Sequence, residues 1–228
     1  MNYFNENGFE IIPRIYGSLE IEAIINAIES SEMCGPSFRK NGGLFAIRQF
    51  FKSIASVRDL VITPTLLQLV KERVGDGFVV VKSIYFDKPA ESNWFVASHQ
   101  DLTISVKQKH EIPGFGPWTV KGDQFAVQPP TEILEDNITI RIHLDDTDEN
   151  NGALLVVPKT HLDGVIDLKK YSGSDSEEIC RVPKGGVMLM KPLLMHRSKR
   201  SLDAKRRRVI HLELSRKQLP SPLEWAER

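Results

Sequence analysis

From Phe78 onward the chain breaks into short runs of β-branched and aromatic residues, each cut off by Gly, Pro, Asn or Asp. The runs are Phe78-Val79-Val80-Val81 with Ser83-Ile84-Tyr85-Phe86, then Trp94–Ser98, Thr103–Lys107, Phe125–Gln128, Ile138–Leu144, Ala153–Val157, Gly186–Met190 and Arg207–Leu214. Segments this short cannot form long amphipathic helices, and so many turn signals between them predict a mainly β fold, a double-sheet jelly roll or barrel.

The first third reads differently. Gly8–Pro13 predicts a short strand, and Ser18, with Glu20 and Glu22 behind it, predicts the cap of a helix over about 18–31. Leu19, Ala23, Ile24, Ala27 and Ile28 recur at helical spacing and predict its core face. Two further helices are expected around 53–61 and 64–74, the second opened by Thr63-Pro64 and closed by Gly75. With 228 residues the chain suits one domain, 1–228, in which a helical buttress of about 1–76 flanks a β core of about 77–216.

Two connections carry their own signals. Asp145 to Gly152 is an acidic run that lacks the Gly and Glu positions of an EF-hand, so it predicts a solvated hairpin turn with Asn151-Gly152 in positive φ. Lys107 to Gln124 is long, polar and broken by Pro113, Gly114, Gly116 and Pro117, which predicts a lid over a barrel mouth. Phe115 and Trp118 within it either wall a pocket or anchor the loop.

Thirty basic residues balance thirty acidic ones, so no overall field draws the chain to nucleic acid or to an anionic membrane. The basic run Lys205–Arg208 lacks the interleaved aromatics of a nucleic-acid patch. Cys34 and Cys180 are too few for a disulfide framework and lack zinc-site spacing. The N-terminal residues carry no basic and apolar leader pattern, and no stretch is apolar enough to span a membrane, so a cytoplasmic location and a small-molecule partner are expected. The oligomeric state is not legible.

The chemistry starts at His99-Gln100-Asp101. Two ligands one residue apart on an extended chain point the same way, and imidazole with carboxylate suits iron. A third ligand must come from elsewhere, and His196, just after the Val187–Met190 strand, stands at the mouth of the expected barrel. Two His and one carboxylate on one face of a metal leave the other face open. The same set also binds zinc, so a zinc hydrolase is a rival, and a non-catalytic barrel is another. His110 falls in a polar loop, His161 at a strand end, and His143 and His211 alternate with aliphatic residues as packed or pocket-lining groups.

Arg206, Arg207 and Arg208 follow the distal histidine. Strand alternation sets Arg207 apart from its two neighbours, which are expected in solvent. Gln128 and Arg141 are expected to reach the pocket, and Thr103 shares the parity of His99 and Asp101.

Several motifs recur in one order: Phe86-Asp87-Lys88, Asn93-Trp94, His99-Gln100-Asp101-Leu102-Thr103, Gly114-Phe115-Gly116-Pro117-Trp118, Gln128-Pro129-Pro130, Arg141 to Asp146, Asn151-Gly152-Ala153-Leu154, Pro158-Lys159-Thr160-His161 and His196-Arg197-Ser198. In these the chain resembles the phytanoyl-CoA dioxygenase family of iron(II)- and 2-oxoglutarate-dependent oxygenases. The resemblance covers most of the chain from Phe86 onward and implies a double-stranded β-helix of the cupin kind. It implies His99, Asp101 and His196 as iron ligands, with 2-oxoglutarate and O2 as cosubstrates. The family offsets place Ser198 two residues and Arg207 eleven residues after the distal histidine, the arginine pairing with the far carboxylate of 2-oxoglutarate. Gln128 and Thr103 are candidates to bind the cosubstrate, and Phe115, Trp118 and Arg141 to bind the substrate. Lys199 to Ala204 departs from the family, which commonly carries an Asn near Ser201. The implied reaction is hydroxylation of an unactivated C–H with release of succinate and CO2. The full ligand set at Asp101 disfavours halogenation, while desaturation, epoxidation and cyclisation share the same oxidant.

Overall fold

A computed structural model describes residues 3–31, 38–41, 44–88, 95–121, 124–173, 176–203 and 205–228. The elements in chain order are α1 (Tyr3–Asn7), β1 (Phe9–Ile12), α2 (Ser18–Glu29), β2 (Phe38–Asn41), β3 (Leu44–Arg48), α3 (Phe50–Ser53), α4 (Arg58–Val61), α5 (Pro64–Val74), β4 (Val79–Lys88), β5 (Val96–His99), β6 (Ile104–Val106), β7 (Trp118–Lys121), β8 (Gln124–Val127), α6 (Thr131–Asp136), β9 (Ile138–His143), β10 (Leu154–Val157), β11 (Glu178–Ile179), β12 (Val187–Met190), β13 (Met195–Ser198) and β14 (Arg207–Ser215). The fold is mainly β, with flanking helices. Seven strands form one sheet in the order β1-β12-β9-β14-β4-β3-β2, four form a second in the order β11-β10-β13-β5, and β6-β8-β7 make a small third.

Alternation along the large sheet separates its two faces. Ile138, Ile140 and Ile142 of β9 and Ile210, Leu212 and Leu214 of β14 turn outward, into a core shared with Ile21, Ile24 and Ile28 of α2, Phe50 of α3 and Leu66 of α5. The opposite parity carries polar side chains into the space between sheets: Arg141 and His143 from β9, Arg207, His211 and Glu213 from β14. Burying an Ile or Leu contributes roughly 1.5–3 kcal/mol, so the outward face fixes the register and the polar face is held in place by it.

Several expectations are corrected. The strand expected at Gly8–Pro13 is β1, which joins the edge of the large sheet by pairing with β12, but the helical buttress also contains β2 and β3, which were not expected and extend the sheet's other end. The α2 cap is Gly17, whose N–H donates to Glu20 (2.7 Å), with Ser18 the first helical residue. Leu19 is 81% exposed, and Ile21 takes its place on the buried face. The segment 53–61 splits into α3, a 3-10 turn at Ala55–Val57 and α4. Asp145 to Gly152 is no hairpin: it carries the chain from β9 in the large sheet to β10 in the second, and only Gly152 has positive φ. Asn93, Trp94 and Cys34 lie outside the described residues, while Cys180 is a buried free thiol.

The expected lid also contains structure. Within 107–124 the chain forms β7, and Phe115 and Trp118 pack on a cluster with Ile104, Val127, Leu134, Leu223 and Trp225. Among the described residues no helix is long and apolar enough to cross a membrane.

Candidate active site

β13 lies between β10 and β5 in the four-stranded sheet, and its register sets His196 directly opposite His99. The two rings approach to 4.2 Å between centroids. β5 ends at His99, and the chain beyond it is fixed by the Asp101 N–H, which donates to the Pro192 carbonyl (2.8 Å). Gln100 points the other way: its amide donates to the carbonyls of Gly164 (2.8 Å) and Leu193 (2.6 Å) and accepts from the Ile166 N–H (2.8 Å). Asp101 Oδ1 thereby comes to 3.9 Å from His99 Nε2, and Oδ2 to 3.9 Å from His196 Nε2. The ligand atoms of the three residues all fall within 4.8 Å of one another, near enough to share one ion.

The donor set fits a metal chemically as well. His99 Nδ1 meets the Ala97 carbonyl (2.8 Å) and His196 Nδ1 meets the Leu194 carbonyl (2.9 Å). A carbonyl only accepts, so each Nδ1 carries the proton and each Nε2 lone pair faces the centre of the triad. Burial lowers the His196 imidazole to about 4, so it is neutral at pH 7. Burial pushes the Asp101 carboxyl up, but His196, His211, Lys82 and His99 outweigh it and hold the acid down to about 2. An ionised carboxylate and a neutral imidazole are the states a metal requires.

The triad opens into a cavity of about 220 Å³ whose described lining includes Phe86, Val96 and Leu154 as apolar walls, with Lys88, Arg141, Ser198, Arg207 and His211 as polar groups. Arg207 is 8% exposed; its Nη1 donates to the Gly152 carbonyl, and its Nε is buried without a partner. A desolvated guanidinium with an unused donor fits an anion such as the far carboxylate of 2-oxoglutarate. Arg141 donates from Nη1 to Nδ1 of His211 (3.2 Å), so His211 carries its proton on Nε2 and presents it to Glu213 Oε1 (3.4 Å), which Lys82 holds at 2.5 Å. Arg141 Nε is likewise buried without a partner.

The cavity thus brings together His99, Asp101, His196, Ser198, Arg207 and Arg141. It does not bring in four other residues singled out from the sequence. Thr103 lies past the end of β5, where strand parity no longer applies, and Gln128 sits beside the small sheet, its backbone bonded to Gly116 and Pro117. Phe115 and Trp118 anchor that same sheet rather than wall the cavity.

Arg206 and Arg208 are not simply solvated. Arg208 chelates Asp145 (2.7 and 2.9 Å) and reaches Glu29 (3.1 Å), while Arg206 chelates Asp87 (2.6 and 2.9 Å). His143, bonded to Thr147 Oγ1 (2.8 Å), and His161, against the Asn5 carbonyl (3.1 Å), are buried away from the triad. Lys88 was legible only as part of a motif, because its position depends on which strand pairs with which.

A mainly β fold that sets two histidines and one carboxylate beside a cavity also lined by a buried arginine fits an iron(II)/2-oxoglutarate-dependent oxygenase. The family described as Phytanoyl-CoA dioxygenase (PhyH) matches residues 4–209, and the chain belongs to it. Its cofactors are accordingly iron(II), 2-oxoglutarate and O2. No curated protein matches the chain in sequence.

Solved structures share the fold. HygX from Streptomyces hygroscopicus, with nickel and 2-oxoglutarate bound, aligns at 16% identity over 93% of this chain and 84% of its own, with a TM-score of 0.66. The α-ketoglutarate-dependent carbocyclase SnoK from nogalamycin biosynthesis aligns at 16% identity over 93% and 81%, with a TM-score of 0.65. EctD from S. alaskensis aligns at 17% identity over 93% and 74%, with a TM-score of 0.69.

Proposed function

We propose that the chain, acting as one catalytic domain over 1–228, hydroxylates an unactivated C–H of a compact, partly apolar small molecule that carries a carboxylate. Arg141 carries this reading: a buried guanidinium in the cavity, oriented by His211 and left with a free Nε. Iron(II) with 2-oxoglutarate and O2 supplies the oxidising power, and the keto acid leaves as succinate and CO2.

The protein's own residues bind and orient. His99, Asp101 and His196 would hold the metal through ligand atoms that lie within 4.8 Å of one another beside the cavity. Arg207 and Ser198 would hold the far carboxylate of the cosubstrate, and Arg141 would bind and orient the substrate acid in the same cavity. Phe86, Val96 and Leu154 keep water from that C–H.

A CoA ester is disfavoured because its phosphates call for a basic rim. Lys107 is already bound to Glu224 (2.5 Å) and Lys109 to Glu111 (2.8 Å). The deciding assay follows substrate-stimulated 2-oxoglutarate decarboxylation across free acids, amino acids, small natural products and acyl-CoAs, with product analysis. Coupled turnover to a hydroxylated free acid, weakened by Arg141→Ala through KM, is expected. Coupling to CoA esters alone would overturn the substrate class, and a desaturated, epoxidised or cyclised product would overturn hydroxylation.

A further inference from the structure

Behind Arg141 the interior face of the large sheet carries an internal ion pair. The ladders set Arg141 of β9 directly opposite His211 of β14, and Glu213, two residues further along β14, directly opposite Lys82 of β4. Residues paired this way share a face with Cβ atoms roughly 4.5–5.5 Å apart, so the four side chains form one continuous file. It is bonded end to end: Lys82 Nζ to Glu213 Oε1 at 2.5 Å, His211 Nε2 to the same oxygen at 3.4 Å, and Arg141 Nη1 to His211 Nδ1 at 3.2 Å. Phe86 stands edge-on against the His211 ring, 6.0 Å between centroids, and braces it.

Only part of this file meets the cavity. Arg141 and His211 are in its described lining, whereas Lys82 and Glu213 are not. Burial pushes the Glu213 carboxyl up, but Lys82 and His211 outweigh it and hold the acid below the usual carboxylate range. A buried ion pair contributes little net stability compared with apolar residues of the same size. What this pair supplies is an acceptor in a fixed place for the His211 Nε2–H, which leaves the Nδ1 lone pair for Arg141. With Nη1 engaged, Arg141 keeps its buried Nε–H without a partner. The Asp101 charge also acts on Arg141, so without His211 the guanidinium is drawn toward the metal ligands instead.

We propose that Glu213 is a positioning residue for the substrate: clamped by Lys82, it holds His211 and, through it, aims the Nε edge of Arg141 at a planar carboxylate. Selection of a free acid over its neutral analogue then depends on a carboxylate that does not touch the substrate. The inference rests on the reading of Arg141 as the substrate-acid group and adds the support that aims it. One edge of a guanidinium forms a fork that matches both oxygens of a carboxylate, whereas an amide presents only one oxygen.

Two double variants with the parent's net charge test this, with hexanoate and hexanamide as probes in equilibrium dialysis of nickel-loaded protein saturated with 2-oxoglutarate. Lys82→Met/Glu213→Gln keeps an acceptor for His211, and Lys82→Met/Glu213→Leu removes it. The parent protein is expected to prefer hexanoate about 10- to 100-fold, the range for a charged hydrogen bond, and Arg141→Ala to abolish that preference. The first double variant should keep most of the preference, and the second should lose most of it with hexanamide affinity unchanged. A full preference in the second variant, or equal losses in the two, would overturn the proposal and leave Arg141 in place. So would a second variant that loses hexanoate, hexanamide and 2-oxoglutarate alike, because the pair would then be structural. A parent protein without the preference, or an Arg141→Ala variant that keeps it, overturns the Arg141 reading and this proposal with it.

Discussion

Arg207 and Arg208 are neighbours in sequence, yet one step along β14 sends them to opposite faces of the large sheet. Arg207 ends in the cavity among Lys88, Ser198 and Arg141, while Arg208 ends among Asp145 and Glu29. The chemistry of the two guanidinium groups is identical, so their roles follow from parity alone. Arg207→Ala is expected to weaken 2-oxoglutarate on the order of 10² to 10³-fold, as for truncating one side of a buried charge pair. Arg208→Ala should leave cosubstrate affinity within about 2-fold and instead cost about 1–3 kcal/mol of stability, since it strips Asp145 of its bidentate partner. Cosubstrate titration and denaturant unfolding on the same two proteins separate the effects, and a reversal between them would place β14 in the wrong register.

Each element here depends on something less local than propensity. β12 enters the large sheet through Gly185, which has φ +81, donates to the His143 carbonyl (2.8 Å) and accepts from the N–H groups of Ile15 and Tyr16 (3.0 Å each). A Cβ at Gly185 would be driven into the Tyr16 carbonyl oxygen, so neither the backbone angle nor the space tolerates a side chain. Gly173 has φ +89 but nothing within 4 Å of its missing Cβ. Gly173→Ala should therefore cost only the left-handed strain, about 1–2 kcal/mol. Gly185→Ala should add about 1–3 kcal/mol of overpacking to the same strain and loosen the β1 edge. Equal losses in denaturant midpoints for the two variants would refute the close approach.

Strands such as Ile138–His143 and Arg207–Ser215 were legible because Ile138, Ile140 and Ile142, and Ile210, Leu212 and Leu214, alternate along them as one apolar face. β13 was not: Met195-His196-Arg197-Ser198 is too polar to read as a strand, and its pairing with β5 and β10 supplies what its side chains do not. The small sheet was missed in part for a similar reason, since Trp118–Lys121 looks like loop until Phe115 and Trp118 have a cluster to bury against.

At the scale of the whole molecule, the site is a product of closure. The four-stranded sheet supplies His99 and His196 from neighbouring strands, the large sheet supplies Arg207, Arg141 and Lys88, and neither holds a functional set alone. The triad was readable in advance because His99-Gln100-Asp101 needs only local geometry and the spacing of His196, Ser198 and Arg207 is shared with the family. Thr103 and Gln128 are absent from the described cavity lining: Thr103 follows the end of β5, where strand parity stops applying, and Gln128 follows β8 of the small sheet. Which cation lies opposite Arg207 required the β4 to β14 register, which no local pattern encodes.

The central claim is that His99, Asp101 and His196 bind iron(II) in a form that takes 2-oxoglutarate through two positions, with Arg207 at its far end. Anaerobic titration of the apoprotein with iron(II) and then 2-oxoglutarate measures this most directly, through the weak visible charge-transfer band of a keto acid chelated to iron(II). The band should appear and saturate with the parent protein, be absent in Asp101→Ala and His196→Ala, and need far more 2-oxoglutarate in Arg207→Ala. A parent protein that binds iron(II) but never develops the band, or an Asp101→Ala variant that develops it unchanged, would contradict it.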